Sequence, residues 1–105
     1  MEIQPARQRI IKDLREEDSR VQITGYIENI EDDNSFILQD GTGKIRVTTD
    51  RVEFSYSKDD LINVFGNLRY KEDKEHKLDA EIIQDKKALN FEYYKKLYEI
   101  KKKYI

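Results

Sequence analysis

Residues 21 to 27 alternate without a break: Val21, Ile23, Gly25 and Ile27 share one face of an extended chain, and Gln22, Thr24 and Tyr26 share the other. A period of two marks a β-strand buried on one side. The glycine in the buried series narrows the choice further, because glycine inside a strand marks sharp curvature or the close approach of another backbone. The same device returns at Ile62, Val64, Gly66, Leu68 and Tyr70. Two strands with glycines at matched points suit a small closed barrel.

The remaining strands follow from the same period. Ile30 breaks the phase after Asn29, which predicts a bulge or a curled strand end. The turn-rich Glu31-Asp32-Asp33-Asn34-Ser35 separates this strand from a second, Phe36-Ile37-Leu38-Gln39-Asp40. Gly41-Thr42-Gly43 supplies a tight reversal. A third strand runs from Lys44 to Thr49, with Ile45 and Val47 inward and Lys44, Arg46 and Thr48 outward. Residues 50 to 60 hold neither period, although Val52, Phe54 and Tyr56 alternate, so this stretch either extends the third strand or is a connection. Leu78, Ala80 and Ile82 restore the period of two after the polar loop Lys71 to Lys77, which makes strands four and five a second hairpin.

From Asn90 onward the period becomes helical. Tyr93, Leu97, Ile100 and Tyr104 follow i, i+4, i+7 and i+11, and Asn90 stands where an N-cap belongs. Tyr94, Tyr98 and Ile105 form a neighbouring arc. Glu92, Lys95, Lys96, Glu99, Lys102 and Lys103 fill the other half, with Glu92–Lys96 and Glu99–Lys103 as supporting i, i+4 pairs. An apolar sector wider than the usual ~100° serves either one contact, with the barrel, or two, with the barrel and another molecule. The expected fold is therefore all-β with one C-terminal helix: a five-stranded barrel over residues 18–88 and a helix over 90–105, in one domain spanning residues 1–105.

Composition sets the function classes aside one by one. A chain of 105 residues has room for one core and no cleft between domains. The absence of cysteine removes disulfides, thiolate metal sites and thiol nucleophiles, and one histidine with carboxylates scattered through surface loops gives no convergent catalytic cluster. No enzyme and no cofactor is expected. Gly41-Thr42-Gly43 lacks the lysine and the helix of a phosphate-binding loop, and Asp32-Asp33-Asn34 lacks the glycine and distal glutamate of a calcium loop. No apolar run approaches a membrane span, so a cytoplasmic protein is expected, associated with the nucleoid if the source is prokaryotic.

The barrel pattern with its Asp40-Gly41-Thr42-Gly43 hairpin is that of an OB-fold. Arg20-Val21-Gln22-Ile23-Thr24-Gly25-Tyr26, Phe36 to Val47, Ile62-Asn63-Val64-Phe65-Gly66-Asn67-Leu68 and Lys77 to Ile82 together resemble the OB domains of the replication protein A family, in an archaeal style, over about residues 10–105. The resemblance implies binding of single-stranded DNA, or of RNA, in replication or repair. As an alternative it implies a small assembly subunit that meets replication protein A-like partners, or a second copy of itself, through the terminal helix. In that family a single strand lies across strands two and three, held by cations that track phosphates and flat side chains on which bases stack.

On this chain the resemblance points to Ile37, Gln39, Lys44, Arg46 and Thr48 on the two strands, with Arg46 foremost, and to Arg69, Lys71 and Lys74 around the loop between strands four and five. Tyr26, Phe54, Tyr56 and Tyr70 are the candidate stacking rings. Tyr70 is also in phase with the core, and Phe54 also fits as a barrel plug. The partner face implied on the helix is Tyr93, Tyr94, Leu97, Tyr98, Ile100 and Tyr104. His76 is expected to be an exposed loop side chain without a role.

Charge argues against strong binding on the barrel. The loop joining strands one and two carries Glu28, Glu31, Asp32 and Asp33 and no cation where the resemblance implies phosphate contacts, an acidic bracket that lowers the expected affinity. Lys44 and Arg46 also fit as solvated partners of carboxylates on adjacent strands. The net charge of -2 is a sum of opposites: residues 1–85 carry 13 cations and 20 anions, net -7, whereas residues 86–105 carry 7 and 2, net +5.

Overall fold

The computed structural model describes residues 6–70 and 75–104. Val21, Ile23 and Ile27 are fully buried in it, while Gln22, Tyr26 and Glu28 reach the surface. They lie on β2 (Arg20–Asp32), which follows a two-residue strand β1 (Arg7–Gln8) and a 3-10 turn at Ile11–Asp13. Next come β3 (Ser35–Gln39), β4 (Lys44–Thr48), β5 (Leu61–Tyr70), β6 (His76–Asp85) and the helix α1 (Phe91–Lys103).

The strands β2, β3 and β4 form an antiparallel meander, and β5 and β6 form a hairpin. β2 pairs antiparallel with β5, and β4 pairs parallel with β6, which closes five strands into a mixed barrel. This is the expected OB-type fold. β1, which the sequence pattern did not disclose, pairs in parallel with the start of β2 on the stretch of edge that β3 does not reach.

Both glycines lie where strands press together. A Cβ at Gly25 would stand 2.5 Å from the carbonyl oxygen of Gln39, and one at Gly66 would run into the carbonyl oxygen of Asp79. The phase break at Ile30 is a real irregularity, for the β2–β3 register slips between Ile27 and Asn29 and again between Ile30 and Asp32. In the hairpin, Gly41 takes a positive φ of 86°, which a side chain would resist. Asp40, at the head of the same motif, is 1% exposed. It accepts hydrogen bonds from the Ile11 amide at 2.8 Å, the Thr42 amide at 2.9 Å and the Thr42 hydroxyl at 2.6 Å. One buried carboxylate thus shapes the turn and ties the N-terminal segment to it.

The stretch from residue 50 to 60 is a connection, not a strand. Its alternating Val52, Phe54 and Tyr56 nonetheless pack against the core, with Phe54 stacked on Phe36 at 4.9 Å between ring centroids. The connection is pinned to β2, since the Asp59 amide donates to the Ile27 carbonyl and the Ile27 amide to that of Asp60.

The helix begins as expected, with the Asn90 side chain accepting from the Tyr93 amide at 3.1 Å. The side it turns to the barrel is the second arc and not the first. Phe91 and Tyr98 are buried and Tyr94 is half-buried, whereas Tyr93, Leu97, Ile100 and Tyr104 face solvent. Two polar and aromatic anchors set this rotation. The Tyr98 hydroxyl donates to Asp13 at 2.8 Å, and Phe91 meets the Tyr26 ring edge-on at 5.3 Å.

Candidate nucleic-acid interface

The register of β3 and β4 brings the outward side chains together as cross-strand neighbours: Ile37 opposite Arg46, and Gln39 opposite Lys44. Period-two alternation places them there, because Phe36, Leu38, Ile45 and Val47 take the inward positions. Ile37, Lys44 and Arg46, but not Gln39, border an open depression of about 650 Å³ whose lining also includes Glu28, Lys58, Glu75 and His76. Ile37 supplies the apolar surface and the cations the charge.

Among the described residues, each expected phosphate contact already has a partner. Arg46 donates two hydrogen bonds to Glu31, from Nε at 2.6 Å and from Nη2 at 3.1 Å. This side-on pair holds the Arg46 guanidinium above its ordinary pKa, the hydrogen bond to Glu31 acting first and its charge second. Lys44 sits 2.8 Å from Glu28. The Thr48 hydroxyl donates to Asp79 at 2.6 Å, the same carboxylate that pairs with Arg69. Gln39 accepts from the Gly41 amide at 3.0 Å. The acidic stretch seen in the sequence is therefore not a separate bracket: its Glu28 and Glu31 belong to β2 and reach across to the cations of β4. Exposed ion pairs are weak because water screens them, so a phosphate can displace either carboxylate, but the neutralised face exerts little attraction at a distance.

The four candidate stacking rings part company. Tyr26 is half-buried under α1 against Phe91, and Phe54 and Tyr56 pack on the core, the Tyr56 hydroxyl donating to the Ile83 carbonyl at 3.3 Å. These three are held by the fold away from the depression. Tyr70 is 38% exposed and contacts the His76 ring at 5.0 Å between centroids. His76 is half-buried, not exposed as expected, and its Nε2 has no hydrogen-bond partner among the described residues. Lys71 and Lys74 lie outside the described residues. Lys58 borders the depression although nothing in its sequence surroundings singled it out; only the pinning of the 50–60 connection to β2 brings it there.

The open side of α1 is the other candidate surface. Tyr93 is 59% exposed, Ile100 51% and Tyr104 85%, with Leu97 between them at 37%. By helical phase, Lys96 and Lys103 flank this stripe on one side and Lys101 on the other. Tyr94 and Tyr98, expected to share the partner face, instead belong to the barrel contact. Among the described residues there is no cluster of acidic or histidine side chains able to hold a metal, and no helix is long and apolar enough to cross a membrane.

No sequence family matches the chain, and no curated protein matches it in sequence. Solved structures do match in fold. The telomere capping protein Ten1 from Saccharomyces pombe superposes with a TM-score of 0.75 at 19% identity, over 94% of this chain and 99% of that one. The S. pombe Stn1–Ten1 complex gives 0.76 at 16% identity, over 95% and 94%. A replication protein A heterotrimer bound to single-stranded DNA gives 0.51 at 14% identity, over 65% of this chain and 57% of that one.

Proposed function

We propose that this chain is a non-catalytic OB-fold subunit of a replication protein A-like assembly, docked to its partner through α1. The observation that carries this is the stripe Tyr93, Leu97, Ile100 and Tyr104, left open while a different arc of the same helix anchors to the barrel. A helix seam of i, i+4, i+7 spacing is read by another amphipathic helix, and the flanking lysines call for acidic residues beside the partner's apolar row. The likeness over nearly full length to Ten1, and to the Stn1–Ten1 complex, supports the reading.

The test replaces the stripe and spares the anchor. Leu97→Glu with Ile100→Glu should leave the circular dichroism and melting temperature unchanged. It should abolish co-purification with the OB-fold subunits of the same cells, or self-association in sedimentation if the partner is a second copy. A double variant that still associates overturns the proposal. Ending the chain after Leu89 is a poorer test, because it also removes Phe91 and Tyr98 from the barrel.

A second reading rests on the depression over Ile37, Lys44 and Arg46: binding of single-stranded nucleic acid across β3 and β4. The fold likeness to a replication protein A heterotrimer bound to single-stranded DNA favours it. Titration with fluorescent single-stranded DNA, RNA and duplex at two salt concentrations measures it. Lys44→Ala with Arg46→Ala should weaken binding and flatten its salt dependence by roughly 0.7 for each phosphate no longer neutralised. Unchanged binding removes this face.

A further inference from the structure

The depression over β3 and β4 is not the more cationic of the two that flank the N-terminal segment. A groove of about 800 Å³ runs between the N-terminal segment and the last turns of α1, and six cations line it: Arg7, Arg9, Lys12, Arg15, Lys101 and Lys102. Asp13 is the one carboxylate in its lining. The cations are engaged unequally. Arg9 is held by two hydrogen bonds to Asp18, both at 3.1 Å, and Lys102 donates to Asp13 at 2.9 Å. Lys12 and Arg15 keep only long, exposed contacts, 3.7 Å to Glu99 and 3.9 Å to Glu17. Arg7 and Lys101 are exposed and have no ion-pair partner among the described residues. Even with all four partner carboxylates counted, the groove keeps two cations in excess, whereas the β3–β4 depression has Lys44, Arg46 and Lys58 against Glu28, Glu31 and Glu75. The partial negative charge at a helix C-terminus, about half an elementary charge, is smaller than that excess.

From this arrangement we infer that the groove is in its own right a site for the phosphate backbone of single-stranded nucleic acid, adjoining the β3–β4 face but not dependent on it. Leu14 lines both depressions, so the two are contiguous across the 3-10 turn. Three of the six cations are arginines, whose planar forks match phosphate oxygens in pairs. Leu14 and the buried Tyr98 are the only apolar residue types in the lining, so its apolar surface comes largely from the stems of the cations, and it holds no row of apolar pockets in which an acidic peptide would seat its side chains. The proposal shares only its class of ligand with the second reading above, and the two can fail separately.

The experiment is a fluorescence titration of the full chain with oligothymidylate over a series of salt concentrations. It compares the wild type, Arg7→Ala with Lys101→Ala, and Lys44→Ala with Arg46→Ala. Both groove side chains are exposed, so melting temperatures should coincide. The groove variant should bind several-fold more weakly and lose about 1.4 from its salt slope, two phosphates at roughly 0.7 each. A slope and affinity equal to wild type overturn the groove whatever the β3–β4 variant does. A loss confined to the groove variant upholds the groove and removes the β3–β4 face. Absence of wild-type binding overturns both, and polyglutamate or duplex bound as tightly as oligothymidylate overturns the assignment of the groove to a single strand.

Discussion

Asp40 shows how much one residue carries in a barrel this small. Replacing it with alanine leaves the part-buried amides of Ile11 and Thr42 without their acceptor, at about 1 kcal/mol for each hydrogen bond lost. The expected result is a loss of about 2 kcal/mol in urea unfolding, against a near-neutral change for the exposed Glu16→Ala. The hairpin role of the Asp-Gly-Thr-Gly motif was legible because turn chemistry is local. The bond to Ile11, twenty-nine positions away, was not, since nothing near either residue announces it. Asp13 supports a second prediction. Burial pushes its carboxyl up, but hydrogen bonds from Lys102 and Tyr98 outweigh this and hold it below the ordinary aspartate range. A carboxyl depressed by folding stabilises the folded state above its unfolded pKa, and that stability is lost as pH falls through the folded value. Acid titration of stability should therefore show a limb extending below the usual aspartate range that Asp13→Asn removes. Identical limbs in the two proteins would refute it.

At the scale of the element, α1 marks the boundary of what periodicity can tell. The sequence placed the helix, its Asn90 cap and its two apolar arcs, because spacing alone decides those. Which arc meets the barrel depends on Asp13 and Tyr26, distant in sequence and specific in geometry, and the longer and more regular arc turned out to be the open one. Substitutions separate the two. Tyr98→Phe should cost about 1 kcal/mol for the lost hydrogen bond to Asp13, and Tyr98→Ala about 3–5 kcal/mol with the ring's packing. Tyr104→Ala should stay within about 0.5 kcal/mol, as surface changes do. Thermal melts of the three variants check the order. The strands were read more completely, since Gly25 and Gly66, in phase with the buried residues, already betrayed the crossings that the structure places at Gln39 and Asp79. The two residues of β1 fall below any period.

For the molecule as a whole, charge is sorted more finely than the division into barrel and helix suggests. The acidic barrel neutralises the cations of its β3–β4 face through Glu28 and Glu31, and the N-terminal segment joins the helix in forming a groove with a cationic excess. Converting Glu28 and Glu31 to glutamine should free Lys44 and Arg46 and tighten binding of single-stranded DNA most at low salt, where screening is weakest. Equal affinities at low salt would show that these pairs do not govern the face. The open stripe on α1 also gives the protein its own optical label. The chain has seven tyrosines and no tryptophan, so its near-ultraviolet emission comes from phenol rings alone. Tyr93 and Tyr104 stand on that stripe, so docking of a tryptophan-free partner there changes a signal that no indole obscures, and assembly becomes visible in unmodified protein.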